Sequence, residues 1–272
     1  MWAAHQLLIH QDNYDIRYYS PYEDFLEGNP DILAVWGGAY AKEVQAVALA
    51  DHPRKVMFHA GGDMKSGYLQ AFNKLFIEWP YEEQELKSKG FNYTVAFGTN
   101  EHLFRPIPMQ KMWDSVYPCA YADWKRHRLF ADAFGERGLV CGSKQKVETY
   151  CYEYPEQKGC TVLPNLPMSF LPYIYSAAFC TTVTASYFGG SQRTILESMA
   201  CGIPAIVMSD AKRNCIYIEE SGQGYIVEPE QDAIKEAVLR VKEQKWDPRP
   251  YVLSKWTSKH YADAIKKGLQ EL

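Results

Sequence analysis

The segment GGSQRTILESMACG, from Gly189 to Gly202, combines residue types that suit a diphosphate and a ribose. Two glycines precede a helical pattern for which Ser191 is a good N-cap, and free backbone N–H groups at such a turn attract phosphate. Glu197 falls in the second turn, off the apolar face, where its carboxylate can accept bonds from two ribose hydroxyls. The alternative is that the glycines only form a tight turn and Glu197 is a solvated helix residue.

Two further segments carry candidate chemistry. The basic run KRHR, Lys125–Arg128, follows an apolar run and can neutralise a diphosphate; alternatively it is a solvated loop. His59 ends the apolar run KVMFHA before a glycine pair and Asp63, so it is expected at the carboxyl edge of a sheet, where ligands bind. A structural role for His59 stays open. Asp63 is suited either to an acceptor hydroxyl or to capping a turn.

The elements that must position these groups are short apolar runs alternating with helical patterns, which indicates parallel sheets with crossover helices. The predicted strands are DIRYYS, DILAVW, KVMFHA, YTVAFG, SVYPCAYA, GLVCG, CTVLPN, AFCTTVTAS, IPAIVMSD and GYIVEP. Helices are expected in AKEVQAVALAD, DAIKEAVLRVKEQ and VLSKWTSKHYADAIKKGL. Because the chain starts with a helical pattern rather than a buried strand and a glycine turn, we expect that an element is missing upstream.

Proline-rich punctuation divides the chain. The run RPIPM, Arg105–Met109, is interpreted as the interdomain linker, and DPRPY ends the second domain. The closing helical segment is expected to return to the first domain. The predicted domains are therefore residues 1–104 with 252–272, on the acceptor side, and residues 105–251, which bind the nucleotide.

Composition excludes several classes of protein. A formal charge of -4, from 29 basic and 33 acidic residues without blocks of one sign, does not favour a nucleic acid or an anionic membrane. The seven cysteines include no C-x-x-C pair and the histidines are scattered, so no metal site is predicted. With no apolar stretch long enough to cross a bilayer and no signal sequence, we expect a soluble, cytoplasmic protein with reduced thiols.

The chain resembles the family 4 glycosyltransferases. In SQRTILESMACGIPAIV, the order of small residues, Glu, Met-Ala, Gly and Pro is similar to the signature helix of that family. FGTNEHLFRP, CAYADWKRHRLFADAF and GQGYIVEPEQDAI are similar to its linker turn, its basic turn and the end of its nucleotide lobe. The resemblance covers roughly residues 30 to 270 and implies an α/β fold of two Rossmann-like lobes, the B-type fold, with a reduced first lobe.

The resemblance also implies roles for residues. Lys125 takes the place of the lysine on the donor diphosphate, and Glu197 that of the second Glu in the family's E-x7-E motif. The chain departs from the pattern where Gly189 replaces the first Glu and Ala120 replaces an Arg, for which Arg126 or Arg128 is a substitute. The catalytic residues are expected to be His59, Lys125 and Glu197. The donor-binding residues are expected to be Arg126, Ser143, Gly189, Gly190, Ser191, Gln192 and Thr194, with Trp36 and Asp63 on the acceptor side.

The implied activity is the transfer of a sugar from a nucleoside diphosphate sugar to an acceptor hydroxyl, with retention of anomeric configuration. The relatives need no metal or resident cofactor, because a donor phosphate oxygen takes the acceptor proton. The acceptor is a glycan, a lipid or a small molecule. Two alternatives remain: a nucleotide-sugar-binding or regulatory protein that has lost turnover, and a viral-type transferase acting on DNA bases, which the acidic balance does not favour.

Overall fold

The computed structural model describes residues 30–38, 41–59, 67–78, 83–142, 149–186 and 192–272. Five predicted site residues lie outside these ranges: Asp63, Ser143, Gly189, Gly190 and Ser191. The predicted strand DIRYYS also lies outside them. The chain divides by its contacts into unit 1, which extends to Gly98 and resumes at Ser258–Leu272, and unit 2, Thr99–Thr257. The predicted nucleotide-binding domain, residues 105–251, and the predicted linker at its start both fall within unit 2.

Unit 1 is a parallel sheet covered by helices. Its strands lie in the order β1, β2, β3, β4, and every neighbouring pair is parallel. They are β1 (Leu33–Gly37), β2 (Lys55–His59), β3 (Lys74–Ile77) and β4 (Tyr93–Val95). The helices of this unit are α1 (Lys42–Leu49), α2 (Glu83–Ser88) and, from the end of the chain, α10 (Ser258–Gln270). The helix predicted in AKEVQAVALAD is confirmed as α1, with Val44, Val47 and Ala48 buried.

Strand β3 was not predicted from the sequence. It contains only four residues, all buried, and Lys74 makes the run look polar. The Lys74 ammonium is nevertheless buried, because it donates to Asn92 Oδ1 at 2.8 Å and to the Glu271 carboxylate just beyond α10. Helix α10 packs on this face of the sheet, where Ile265 contacts the cluster around Phe76. The lysine is therefore a structural part of unit 1.

Unit 2 contains a six-stranded parallel sheet in the order β10, β9, β8, β5, β6, β7. Its strands are β5 (Trp113–Pro118), β6 (Gly138–Gly142), β7 (Thr161–Pro164), β8 (Ala178–Val183), β9 (Ala205–Met208) and β10 (Gly224–Val227). Counted from β5, this is the 3-2-1-4-5-6 order of the Rossmann fold. The apolar runs predicted from SVYPCAYA to GYIVEP are all confirmed as strands.

The helices of unit 2 cross between these strands. They are α3 (His127–Phe134), α4 (Tyr150–Gln157), α5 (Leu171–Ser176), α6 (Arg193–Ala200), α7 (Lys212–Ser221), α8 (Gln231–Glu243) and α9 (Arg249–Lys255). The prediction of one continuous helix over VLSKWTSKHYADAIKKGL was wrong, because α9 ends at Lys255 and α10 begins at Ser258. Trp256 lies at this break, where its ring packs on Tyr217 with centroids 5.4 Å apart.

All seven cysteines are free thiols, and all except Cys119 are buried. They act as small apolar side chains in the core of unit 2. Across the residues that the structure describes, no helix has the length and apolar character needed to cross a bilayer.

Candidate functional site

The order of the strands in unit 2 defines where a ligand is expected. Strand β5 lies between β8 and β6, and the chain runs from β5 outward in one direction and from β8 outward in the other. In open parallel sheets, ligands bind beyond the carboxyl ends of the two strands at such a switch point. The segments that follow β5 and β8 are residues 119–126 and 184–192, which contain the predicted Lys125, Arg126 and Gln192.

Backbone hydrogen bonds join these two segments. The Ser186 N–H donates to the Trp124 carbonyl at 2.8 Å. The Thr184 hydroxyl donates a shared hydrogen bond to the Lys125 carbonyl at 2.8 Å and to the Arg126 carbonyl at 3.2 Å. Because both segments begin at ends of neighbouring strands, these bonds hold the basic turn in a fixed place at the switch point.

Lys125 ends a 3-10 turn, Asp123–Lys125, and is only 7% exposed. Its ammonium donates to Gln192 Oε1 and lies 4.1 Å from the centroid of the Trp124 ring. The amide oxygen and the ring face stabilise the cation without neutralising it. The alternative of a solvated loop therefore does not hold for Lys125.

Lys125 is charged at neutral pH, whereas its ionisable neighbours Cys119 and His127 are neutral. Burial lowers the pKa of Lys125 to about 8, so that the ammonium is still protonated at neutral pH. Burial raises the pKa of Cys119 to about 12, and burial with the charge of Lys125 lowers the pKa of His127 to about 4, so both neighbours are neutral. Cys119 Sγ and His127 Nε2 are hydrogen-bonded at 3.1 Å. Among the described residues, no carboxylate contributes to the pKa of Lys125.

The two neighbouring arginines differ. Arg126 adopts the left-handed conformation, with φ 53° and ψ 48°, and its guanidinium pairs with the Asp210 carboxylate beyond β9. Arg128 is exposed and lies over the rings of Tyr150 and Tyr154, 5.2 Å from each centroid. Ala120, where the resemblance leads one to expect an arginine, is exposed. Arg126 is thus the arginine that the structure holds beside Lys125.

The start of α6 is held by Asn214, which was not identified from the sequence, through its bond to Gln192. Gln192, not Ser191, occupies the N-cap, and its side chain bonds Lys125 instead of capping the helix. The Gln192 N–H donates to Asn214 Oδ1 at 3.1 Å. Asn214 is fully buried on α7, and its Nδ2 has no hydrogen-bond partner among the residues that the structure describes. No local signal marks Asn214, because it lies 22 residues from Gln192 in the sequence.

Glu197 is also buried, at 6% exposure, which excludes a solvated helix residue. Its Oε2 accepts a hydrogen bond from the Tyr175 hydroxyl at 2.8 Å. Thr194, predicted to bind the donor, is buried and bonds the same Tyr175 hydroxyl at 2.7 Å. Burial raises the pKa of Glu197, while the charge of Arg193 and the bond from Tyr175 oppose this. Tyr175 was not identified from the sequence.

Two of the predicted site residues lie on strands of unit 1. His59 is the last residue of β2 and is fully buried, so its imidazole is not exposed to solvent in this structure. Trp36, next to last in β1, is 54% exposed on the face of the sheet opposite Leu33 and Val35. Asp63 lies outside the described residues.

The structure therefore brings four of the predicted residues into one region of unit 2: Lys125, Arg126 and Gln192 at the switch point, with Glu197 on α6, the helix that follows Gln192. Thr194 lies on the same helix. The described residues contain no cluster of three or more His, Cys, Asp or Glu side chains able to hold a metal ion. Thr184 was not chosen from the sequence, although it lies near the carboxyl end of the predicted strand AFCTTVTAS and directly follows the observed β8.

Part of the chain matches a known protein family. Residues 137–260 match the family profile described as "Glycosyl transferases group 1". The match spans unit 2 from the turn before β6 through α6 to the start of α10. No curated protein matches the chain in sequence.

The structure is similar to solved glycosyltransferases. HepE from Anabaena, in complex with UDP and glucose, superposes with a TM-score of 0.74 over 99% of this chain and 89% of HepE, at 13% identity. A glycosyltransferase from Rickettsia africae ESF-5 gives a TM-score of 0.69 over 98% of this chain and 87% of that protein, at 13% identity. Sucrose-phosphate synthase from Thermosynechococcus elongatus gives 0.64 over 80% and 67%, at 16% identity. The chain therefore has the two-unit, Rossmann-like B-type fold of glycosyltransferases, and its segment 137–260 is similar in sequence to the group 1 family.

Proposed function

We propose that this protein is a glycosyltransferase that moves a sugar from a nucleoside diphosphate sugar to an acceptor hydroxyl. The observation that carries the proposal is Lys125, a buried ammonium at the switch point without a described carboxylate to neutralise it. A buried charge is costly unless it is paired. A diphosphate supplies the missing negative charge, and the match over residues 137–260 supports a sugar nucleotide as its source.

Different residues are proposed to bind different parts of the donor. Lys125 and Arg126 stabilise the negative charge that grows on the departing diphosphate. The buried Glu197 carboxylate accepts hydrogen bonds from the ribose hydroxyls. For the backbone of Gly189 to Ser191, contact with the diphosphate stays a prediction.

The resemblance to the family 4 enzymes supports retention of configuration. In the proposed step, the bond between the anomeric carbon and the diphosphate oxygen breaks, and the acceptor oxygen bonds to the same face of that carbon. The acceptor proton goes to a diphosphate oxygen. The step needs no protein nucleophile and includes no resident cofactor. A glycan, a lipid or a small molecule fits as the acceptor.

Nucleotide binding provides the first test. We expect one of UDP, GDP, ADP and dTDP to raise the melting temperature, since a ligand at 100 times its Kd adds about 2.7 kcal/mol of stability. Lys125→Met should abolish most of this stabilisation. Arg128→Met is the matched control, because it removes an exposed cation of the same segment and should bind as the wild type does. The proposal fails if no nucleoside diphosphate stabilises the wild type.

A second function, binding of the nucleotide sugar without turnover, is favoured by one observation. Position 120, where an arginine is expected, carries an exposed alanine. Release of the nucleoside diphosphate from its sugar donor distinguishes the two functions. If the protein is an enzyme, the wild type should release nucleoside diphosphate from the donor and Lys125→Met should not. If it only binds the donor, the nucleotide should raise its melting temperature but no nucleoside diphosphate should be released.

A further inference from the structure

A chain of three hydroxyl and carboxyl groups runs through the core of unit 2. The Thr194 and Tyr175 hydroxyls are 2.7 Å apart, and the Tyr175 hydroxyl is 2.8 Å from Glu197 Oε2. Tyr175 is fully buried on α5, while Thr194 and Glu197 are 6% exposed on α6. The contact joins two helices, and its members are separated from bulk water.

The chemistry of the groups fixes the direction of the bonds. An ionised carboxylate can only accept, so the single proton of Tyr175 is donated to Glu197. The Tyr175 oxygen then accepts from the Thr194 hydroxyl, and such a chain polarises each of its bonds. Burial raises the pKa of Tyr175 well above its ordinary value, which keeps the phenol a donor.

This bond affects both the position and the ionisation of Glu197. It holds Oε2 against α5. Burial raises the pKa of Glu197 and so favours the protonated carboxyl, which is a poorer acceptor. Arg193 and Tyr175 both lower this pKa and favour the carboxylate. The Arg193 contribution is Coulombic and comes from one turn earlier on the same helix, so Tyr175 is the partner that supplies a directional bond.

We propose that Tyr175 is a positioning residue that orients the Glu197 carboxylate for the ribose hydroxyls of the donor nucleotide. This inference rests on the proposed function, because it takes Glu197 as the ribose contact. Tyr175 acts through Glu197 and does not itself touch the donor. The preference for a ribonucleotide over a deoxyribonucleotide is therefore set partly by a residue of another helix.

The test compares matched nucleotides. Isothermal titration gives the Kd of UDP and 2′-deoxy-UDP, with the GDP and ADP pairs measured alongside, for the wild type, Tyr175→Phe and Glu197→Gln. For the base that the wild type binds, we expect Tyr175→Phe to weaken the ribonucleotide by about tenfold. The deoxyribonucleotide should change much less. The loss should be greater at pH 6 than at pH 8, because Glu197 is protonated more readily without Tyr175.

Two controls separate positioning from stability. Tyr217→Phe removes the hydroxyl of another fully buried tyrosine of unit 2, and it should leave the preference for ribose unchanged. Thr194→Val, which removes the first member of the chain, should give an intermediate loss. A purely structural role for Tyr175 would lower the melting temperature while weakening both nucleotides equally at every pH, and that result overturns the inference. If the wild type binds dTDP but no member of the three pairs, the inference fails because ribose is not recognised; if it binds no nucleoside diphosphate at all, the proposed function itself fails.

Discussion

Lys125 carries its charge in a largely buried place, where the residue is only 7% exposed. Its pKa of about 8 reflects the loss of hydration on burial, and the amide of Gln192 and the ring of Trp124 beside it carry no negative charge. A diphosphate would restore a favourable environment for the ammonium and would raise its pKa again. Binding and protonation are therefore coupled at this residue.

This coupling predicts how nucleotide affinity depends on pH. Because burial depresses the pKa of a lysine, the charged form that binds the diphosphate is present below about pH 8 and is lost as the pH rises through that value. The Kd of the wild type should rise between pH 7 and pH 9, approaching about tenfold per pH unit at the upper end. Titration calorimetry across this range measures it.

Lys125→Met is the control for this prediction. It should bind weakly and with no dependence on pH above 7, since it lacks the titrating group. A wild-type affinity that stays constant from pH 7 to pH 9 would contradict a role for the Lys125 charge.

At this scale, the sequence predicted residue types better than their partners. Lys125 and Glu197 could be chosen because each lies in a recognisable local pattern. Tyr175 and Asn214 could not, because each reaches the site from a helix distant in sequence. The residue type predicts Ser191 as the N-cap, but Gln192 occupies this position, and its side chain bonds Lys125.

The elements show the same division between local and distant information. Strands of unit 2 are continuous apolar runs, as expected of a sheet buried on both faces, and all six could be predicted. Strand β3 was missed because a lysine opens it, and that lysine is buried only through Asn92 and Glu271. The break between α9 and α10 was missed because the helical pattern continues across it.

Helix α10 offers a test of packing against propensity. Gly268 faces the sheet, and a Cβ built there would lie 2.5 Å from Phe76 Cε1. Helix propensity alone predicts that Gly268→Ala stabilises by about 1 kcal/mol. We expect the opposite, a loss of about 1–3 kcal/mol, since the added methyl overpacks the contact with Phe76. Urea denaturation of the whole protein, wild type against variant, measures the change in the free energy of unfolding.

Lys267→Ala provides the comparison for this helix. Its side chain is exposed, so the substitution should change stability by less than about 0.5 kcal/mol. A Gly268→Ala variant more stable than the wild type would show that Phe76 moves aside without cost.

For the whole molecule, the resemblance and the strand order lead to the same architecture by different arguments. One comes from motifs spread along the chain, and the other from the 3-2-1-4-5-6 order of the sheet in unit 2. The limits of the domains were harder to predict from residues alone. The prolines of RPIPM predict a linker at Arg105–Met109, whereas the contact division falls earlier, after Gly98.

Because unit 2 is continuous in sequence, we expect residues 99–257 to fold as a separate fragment and to bind the nucleoside diphosphate. The residues assigned to the diphosphate and the ribose all lie within it. A cooperative thermal transition, shifted upward by the nucleotide, checks the prediction. A fragment that folds but is not stabilised would show that donor binding needs residues of unit 1.

Unit 1 is not continuous, and this affects the order in which the protein forms during synthesis. Strands β1 to β4 leave the ribosome first, but α10, which covers Val56, Phe76 and Ala96, is translated only after all of unit 2. Domains synthesised on a ribosome generally fold as units once their residues have emerged. The nascent chain is therefore expected to complete unit 2 first, while an apolar face of the earlier strands is still uncovered by its helix and is open to chaperones.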